Sequence, residues 1–219
     1  MKLVQILALA LQIPRRKTID LIIEKKVKVN NIITEQFSLS IDAKDLIEVE
    51  REHEKLQFKA ADFLNLEKNY LAFYKPKGII TSIQGLKYYL AKINIPNLKP
   101  VGRLDQESEG LLLLTDDGDF ILKLTHPQFH VPKKYLIWIE GLKDEKQLDF
   151  LRNSLDFQVK SENMLEIELK EGKNRQIRRA CSQAGLFVKR ILRISVGKVQ
   201  LNNLKVGEWI QINPKGLLI

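Results

Sequence analysis

Four consecutive leucines, Leu111 to Leu114, follow the stretch Val101-Gly102-Arg103-Leu104-Asp105-Gln106-Glu107-Ser108-Glu109-Gly110, and no other segment constrains the fold as much. The leucine run reads as a buried strand. Asp105 stands just ahead of it. A carboxylate left unpaired in apolar surroundings is costly, so this acid must be solvated, paired or functional. Two ordinary uses are open: Asp105 can cap a helix, or it can hold Arg103 at a turn.

With 219 residues, 44% of them hydrophobic, the chain can bury one good core and leaves room for a second small module. Its longest apolar runs, such as Ile6 to Leu11, fall far short of a membrane span, and the N-terminus lacks the zones of a signal peptide. A cytoplasmic globular protein with no membrane partner is expected, and monomer is the default state. The lone cysteine, Cys181, excludes an intramolecular disulfide and fits a reducing compartment. Neighbouring Arg178 and Arg179 could activate its thiol, but a small buried helix residue is the better reading.

The formal net charge of +9 is concentrated. Between Glu171 and Lys198 stand Lys173, Arg175, Arg178, Arg179, Lys189, Arg190, Arg193 and Lys198, against Glu171 as the single acid. A solvated face is the plain explanation for scattered lysines. Here arginines dominate, and their planar forks suit phosphates and base edges. The segment points to a polyanion and to salt-sensitive binding.

Leu3, Ile6, Leu7 and Ala10 recur at helical spacing, and Ile19, Ile22 and Ile23 repeat the pattern after Arg15-Arg16-Lys17. Short strands follow at Val27-Lys28-Val29-Asn30 and Leu46-Ile47-Glu48-Val49, with a turn at Asn30-Asn31. Residues 1–50 resemble the ribosomal-protein-S-four-type (alpha-L) RNA-binding module. That resemblance implies that Arg15, Arg16, Lys17 and Lys28 contact RNA phosphates. The chain departs from the family at Lys2-Leu3-Val4-Gln5, where Arg-Leu-Asp-Lys is favoured, and at Asn31, where glycine is usual. The charged, aperiodic residues 51–67 read as a linker.

From residue 68 to 219 strand patterns dominate. Tyr70-Leu71-Ala72-Phe73-Tyr74 ends at the turn Lys75-Pro76-Lys77-Gly78, and Ile79-Ile80-Thr81-Ser82 begins a new extended piece. Tyr135 to Ile139, Leu165 to Leu169 and Trp209 to Ile212 read as strands, while Glu145 to Leu155 and Arg175 to Ala184 look helical. Without a βαβ rhythm or GxGxxG, the order implies an α+β domain with a mixed, largely antiparallel sheet and flanking helices.

Several segments of this domain, in order, resemble the RsuA/RluB/RluE/RluF group of pseudouridine synthases. They are Asn69 to Gly78, Gly102-Arg103-Leu104-Asp105 through Gly118, Leu124-Thr125-His126-Pro127, Lys133-Lys134-Tyr135, Glu171 to Arg179, and Leu204 to Trp209. The resemblance implies isomerisation of a uridine in RNA. The expected partner is ribosomal RNA or a ribosomal assembly intermediate, with the large subunit favoured. Because the reaction moves one bond from uracil N1 to C5 on the same sugar carbon, no cofactor is implied.

By the same resemblance Asp105 is the nucleophile, an ionised carboxylate acting on electrophilic carbon, and Arg178 pairs with it. Arg103 fills the space left by the flipped nucleotide, the ring of Tyr135 packs on the uracil with its hydroxyl placed for proton transfer, and Ile177 forms the opposite wall. Lys134, Lys173, Arg175 and Arg179 join the RNA-binding set.

Other constellations fare worse. Asp105, Glu107 and Glu109 suggest paired glycosidase carboxylates, but that chemistry depends on a separation in space that sequence spacing does not supply. Asp116-Asp117-Gly118-Asp119 lacks the alternating ligands and distal glutamate of a calcium loop, so a polar turn is expected. His53, His126 and His130 form no metal-ligand pattern with Cys181. A noncatalytic RNA-binding or ribosome-assembly factor and a transfer-RNA synthase remain the alternative functions.

Overall fold

The computed structural model describes residues 1–51, 54–64 and 67–215, and the chain divides into two compact units, Met1–Glu67 and Lys68–Ile219. In the first, α1 (Leu3–Ala10) and α2 (Arg15–Ile23) precede β1 (Val27–Val29), β2 (Ile32–Ile33), β3 (Leu46–Arg51), β4 (Glu54–Lys59) and α3 (Ala61–Leu64). The strands form an antiparallel sheet in the order β2-β1-β3-β4. Leu3, Ile6, Leu7 and Ile22 pack with Val27, Val29, Ile47 and Val49, so the helical and alternating patterns meet in one small core.

The stretch that reads as a linker is structured in part. Residues 54–59 pair with β3 from Leu46↔Lys59 to Arg51↔Glu54. Nearly all β4 side chains are exposed, so no apolar alternation marks the strand, and its backbone ladder holds it. Glu52, His53, Asn65 and Leu66 lie outside the described residues.

The second unit contains β5 (Tyr70–Lys75), α4 (Lys87–Ile93), β6 (Lys99–Pro100), β7 (Glu109–Thr115), α5 (Gly118–Thr125), β8 (Lys133–Glu140), α6 (Glu145–Arg152), β9 (Asp156–Ser161), β10 (Met164–Leu169), α7 (Gln176–Gln183), β11 (Phe187–Val196), β12 (Val199–Gln200) and β13 (Trp209–Gln211). Among the described residues these strands build one mixed sheet with the main order β13-β5-β7-β11-β8-β10-β9, in which only β7 and β11 run parallel. This is the α+β arrangement expected.

The four leucines show why β7 reads as a continuous apolar run. Successive side chains alternate between faces. Leu111 and Leu113 join Phe120 and Leu124 of α5 in one cluster, while Leu112 and Leu114 join Phe73, Leu86 and Ile93 in the other. Both faces are covered, so neither can be polar.

Two local readings change. Ile79–Ser82 forms no strand. The acidic turn 116–119 starts α5, with Asp117 accepting hydrogen bonds from the Asp119 and Phe120 amides at 2.9 and 3.1 Å. Asp116 accepts from the Asn69 amide at 3.0 Å and thereby ties the turn to β5.

Candidate active site

The loop between β6 and β7 carries Arg103 and Asp105, and it is held on both sides of the acid. Upstream, the buried Thr81 hydroxyl donates to the Leu104 carbonyl at 2.6 Å and accepts from the Leu104 amide at 3.1 Å. Downstream, the Gly78 amide donates to the Gln106 carbonyl at 2.7 Å, and Gln106 Nε2 donates to the Gly78 carbonyl at 3.0 Å. Gly78, at the end of the Lys-Pro-Lys-Gly turn, and Thr81 just beyond it together clamp the residues flanking Asp105. Sequence reasoning marked the turn but missed Thr81, for which no local signal existed.

Lys75, at the root of that turn, is fully buried and donates to the carbonyls of Pro76 and Ile79 at 2.8 and 2.7 Å. Burial, reinforced by Arg193, pushes its ammonium down to about 8, against the opposing pull of Asp105 and Glu109. Arg193 is 2% exposed. It donates through Nε to the Leu111 carbonyl at 2.7 Å and through Nη1 to the Arg103 carbonyl at 3.4 Å; its Nη2 has no partner among the described residues. Strand β11 comes this close because Gly110 faces it: a Cβ there would lie 2.4 Å from the Arg193 carbonyl oxygen.

Arg193 thus belongs to the interior rather than to the basic face expected of residues 171–198. Arg190 is also engaged, by the Glu109 carboxylate and by the Trp138 ring 4.5 Å from its guanidinium carbon. Glu109 in turn accepts from the Tyr74 hydroxyl at 3.2 Å. The excess charge is split between core and surface, a division that a count along the chain does not reveal.

Across the loop, β8 and α7 complete a cavity of about 300 Å³. Alternation along β8 turns Tyr135 inward, where it is buried. On α7, Ile177, Ala180 and Cys181 pack into the core at helical spacing and carry Arg178 to the cavity. Arg103, Asp105, Tyr135, Ile177 and Arg178 all line this space, together with Lys173 and Arg175. A neighbouring cavity of about 300 Å³ shares Arg103, Tyr135 and Gly172 with it and adds Lys133, His126 and Arg193. Burial, with Arg193 again contributing, lowers the Lys133 ammonium to about 8.

Other expected residues stand elsewhere. Lys134 points from the opposite face of β8 and forms ion pairs with Glu166 and Glu168 at 3.6 and 3.8 Å, outside both cavities. Arg179 is exposed on α7 and does not line the cavity. In the first unit, Arg15, Arg16 and Lys17 are exposed on the first turn of α2, and Lys28 lines a groove with Lys25, Lys26 and Lys55. Cys181 is buried, and desolvation raises its thiol to about 11, which leaves it an inert core residue.

Arg178 departs from the pairing that the resemblance implies. Among the described residues, the carboxylate within ion-pair distance of it is that of Glu107: Nε lies 3.3 Å from Glu107 Oε2, and Nη2 donates to the Glu107 carbonyl at 3.4 Å. Its Nη1 donates to the Val188 carbonyl at 3.2 Å. Arg175 Nη2 meets the same Glu107 Oε2 at 3.0 Å. The Arg178 Nε–H is not aligned on that oxygen and has no hydrogen-bond partner among the described residues.

Chemically, the cavity presents one carboxylate on a loop held at both neighbours, an aromatic ring, an apolar wall and several guanidinium groups. Such a set can seat a planar base attached to a phosphate chain. The family described as RNA pseudouridylate synthase matches residues 69–183. An uncharacterized RNA pseudouridine synthase from Aquifex aeolicus is 33% identical over 91% of this chain and 85% of its own length. The large-subunit pseudouridine synthase B of Bacillus subtilis is 30% identical over 91% of this chain and 87% of its own. A crystal structure of a pseudouridylate synthase superposes with a TM-score of 0.64 over the whole of both chains at 22% identity, a likeness of fold.

Proposed function

The chain belongs to the RNA pseudouridylate synthase family and is an RNA pseudouridine synthase, and from that premise we propose that it isomerises one specific uridine of large-subunit ribosomal RNA with Asp105 as nucleophile. The observation that carries the reading is the convergence of Arg103, Asp105, Tyr135, Ile177 and Arg178 on one cavity. The target is favoured by the Bacillus subtilis relative, which by its name acts on the large subunit.

Extruding the uridine costs on the order of a few kcal/mol, and Arg103 takes the vacated space. The uracil enters against the Tyr135 ring, with Ile177 opposite. The Asp105 carboxylate bonds to C1′ as the bond from C1′ to N1 breaks. The freed uracil turns, and its C5 bonds to C1′ as Asp105 leaves. C5 gives up its proton, N1 gains one, and the Tyr135 hydroxyl is placed to assist that transfer. Product and substrate are isomers, so the reaction needs no oxidant or reductant. Arg178 adds positive charge to the cavity that holds Asp105. In the first unit, Arg15, Arg16, Lys17 and Lys28 add phosphate affinity.

Pseudouridine profiles of ribosomal RNA from cells with and without the gene test the target. Loss of one large-subunit site is expected. A profile unchanged at every site, as a noncatalytic binder would leave it, contradicts the proposal. So does a loss confined to transfer RNA.

A further inference from the structure

Glu107 stands two residues beyond Asp105, and its carboxylate occupies two arginines that line the cavity. Both guanidinium groups approach one oxygen, Oε2: Arg175 at 3.0 Å and Arg178 at 3.3 Å. Two positive charges share one negative charge, and the Arg178 Nε–H remains without a hydrogen-bond partner among the described residues. The arrangement resembles the way two guanidinium groups hold a phosphodiester, whose single charge is spread over two unbridged oxygens.

We propose that Arg175 and Arg178 form a seat for an RNA phosphodiester beside the target uridine, and that Glu107 fills this seat in the free protein until RNA displaces it. The inference rests on the reading of the cavity as the uridine site. The exchange is easy for three reasons. The Glu107 and Arg175 side chains are 53% and 44% exposed, so water screens their attraction. Arg178 is only 16% exposed and is anchored at Val188, so it keeps its place when the carboxylate leaves. The incoming phosphate has an oxygen for each guanidinium, whereas Glu107 offers one oxygen to both. Arg178 lines the cavity with Asp105, so a phosphate held there fixes the RNA backbone beside the carboxylate.

A role that merely braces the loop against α7 makes the opposite forecast for affinity. Binding of an in vitro transcribed large-subunit ribosomal RNA, measured over a series of salt concentrations, separates the two. Glu107→Gln should tighten binding about two- to fivefold, the range spanned by an exposed ion pair, and should steepen the salt dependence. The gain should vanish in the Arg175→Gln background. Unchanged or weaker binding by Glu107→Gln overturns the proposal, as does an equal gain without Arg175. Absence of pseudouridine formation by the wild-type protein on the same transcript would instead count against the functional reading, since the affinity comparison is made independently of turnover.

Discussion

The Thr81 hydroxyl bonds to both backbone polar groups of Leu104, donating to its carbonyl at 2.6 Å and accepting from its amide at 3.1 Å. The peptide entering Asp105 is therefore held by a single side chain from a different loop. Thr81→Val keeps the shape and removes both bonds. It should destabilise the domain by about 1–3 kcal/mol, the cost of leaving buried backbone groups unpaired, and lower kcat more than it raises KM. Thr81→Ser should recover most of both. Thermal unfolding and steady-state kinetics on the three proteins check this, and equal behaviour of the serine and valine variants would contradict it.

Lys75 gives the domain a distinct pH signature. Its folded-state value is about 8, below the ordinary 10.5, so between these limits the unfolded chain binds more protons than the folded one. By linkage, its contribution to stability rises as pH increases through that window and is least favourable below about 8. Lys75→Met lacks the effect. The wild-type stability minus that of Lys75→Met should increase by on the order of 1–3 kcal/mol from pH 7.5 to 10.5. Denaturant unfolding across this range reads it directly, and a flat or falling difference would show that the lysine is not charged and buried as described.

Tyr135→Phe tests the proposed role of the hydroxyl apart from that of the ring. The ring packs in the cavity wall, so Tyr135→Phe should leave KM within about threefold, while loss of the hydroxyl should slow turnover by roughly 10²–10⁴-fold, the span of positioned acid–base groups. Single-turnover rates at saturating RNA measure it. A variant as fast as the wild type would remove the hydroxyl from the reaction.

Much of this architecture is legible in the sequence because its signals are local. The leucine run marks a strand covered on both faces, and Asp105, Tyr135 and Ile177 sit in short ordered motifs that the fold brings to one cavity. What escapes the sequence depends on partners distant along the chain. Glu107 looks like one more surface acid until the fold brings Arg175 and Arg178 to it. Arg193 counts as surface charge until the sheet encloses it. Strand β4 escapes for a different reason: its side chains are solvated, so its pairing with β3 leaves no apolar period to read.

Asp105 is the proposed nucleophile, and Asp105→Asn removes its charge with the smallest change of shape. The variant and the wild-type protein are each incubated with large-subunit ribosomal RNA from cells lacking the gene, and pseudouridine is mapped by carbodiimide labelling and primer extension while binding is followed in parallel. Asp105→Asn should bind the RNA and form no pseudouridine at the site converted by the wild type. Conversion by Asp105→Asn at the wild-type rate would contradict it.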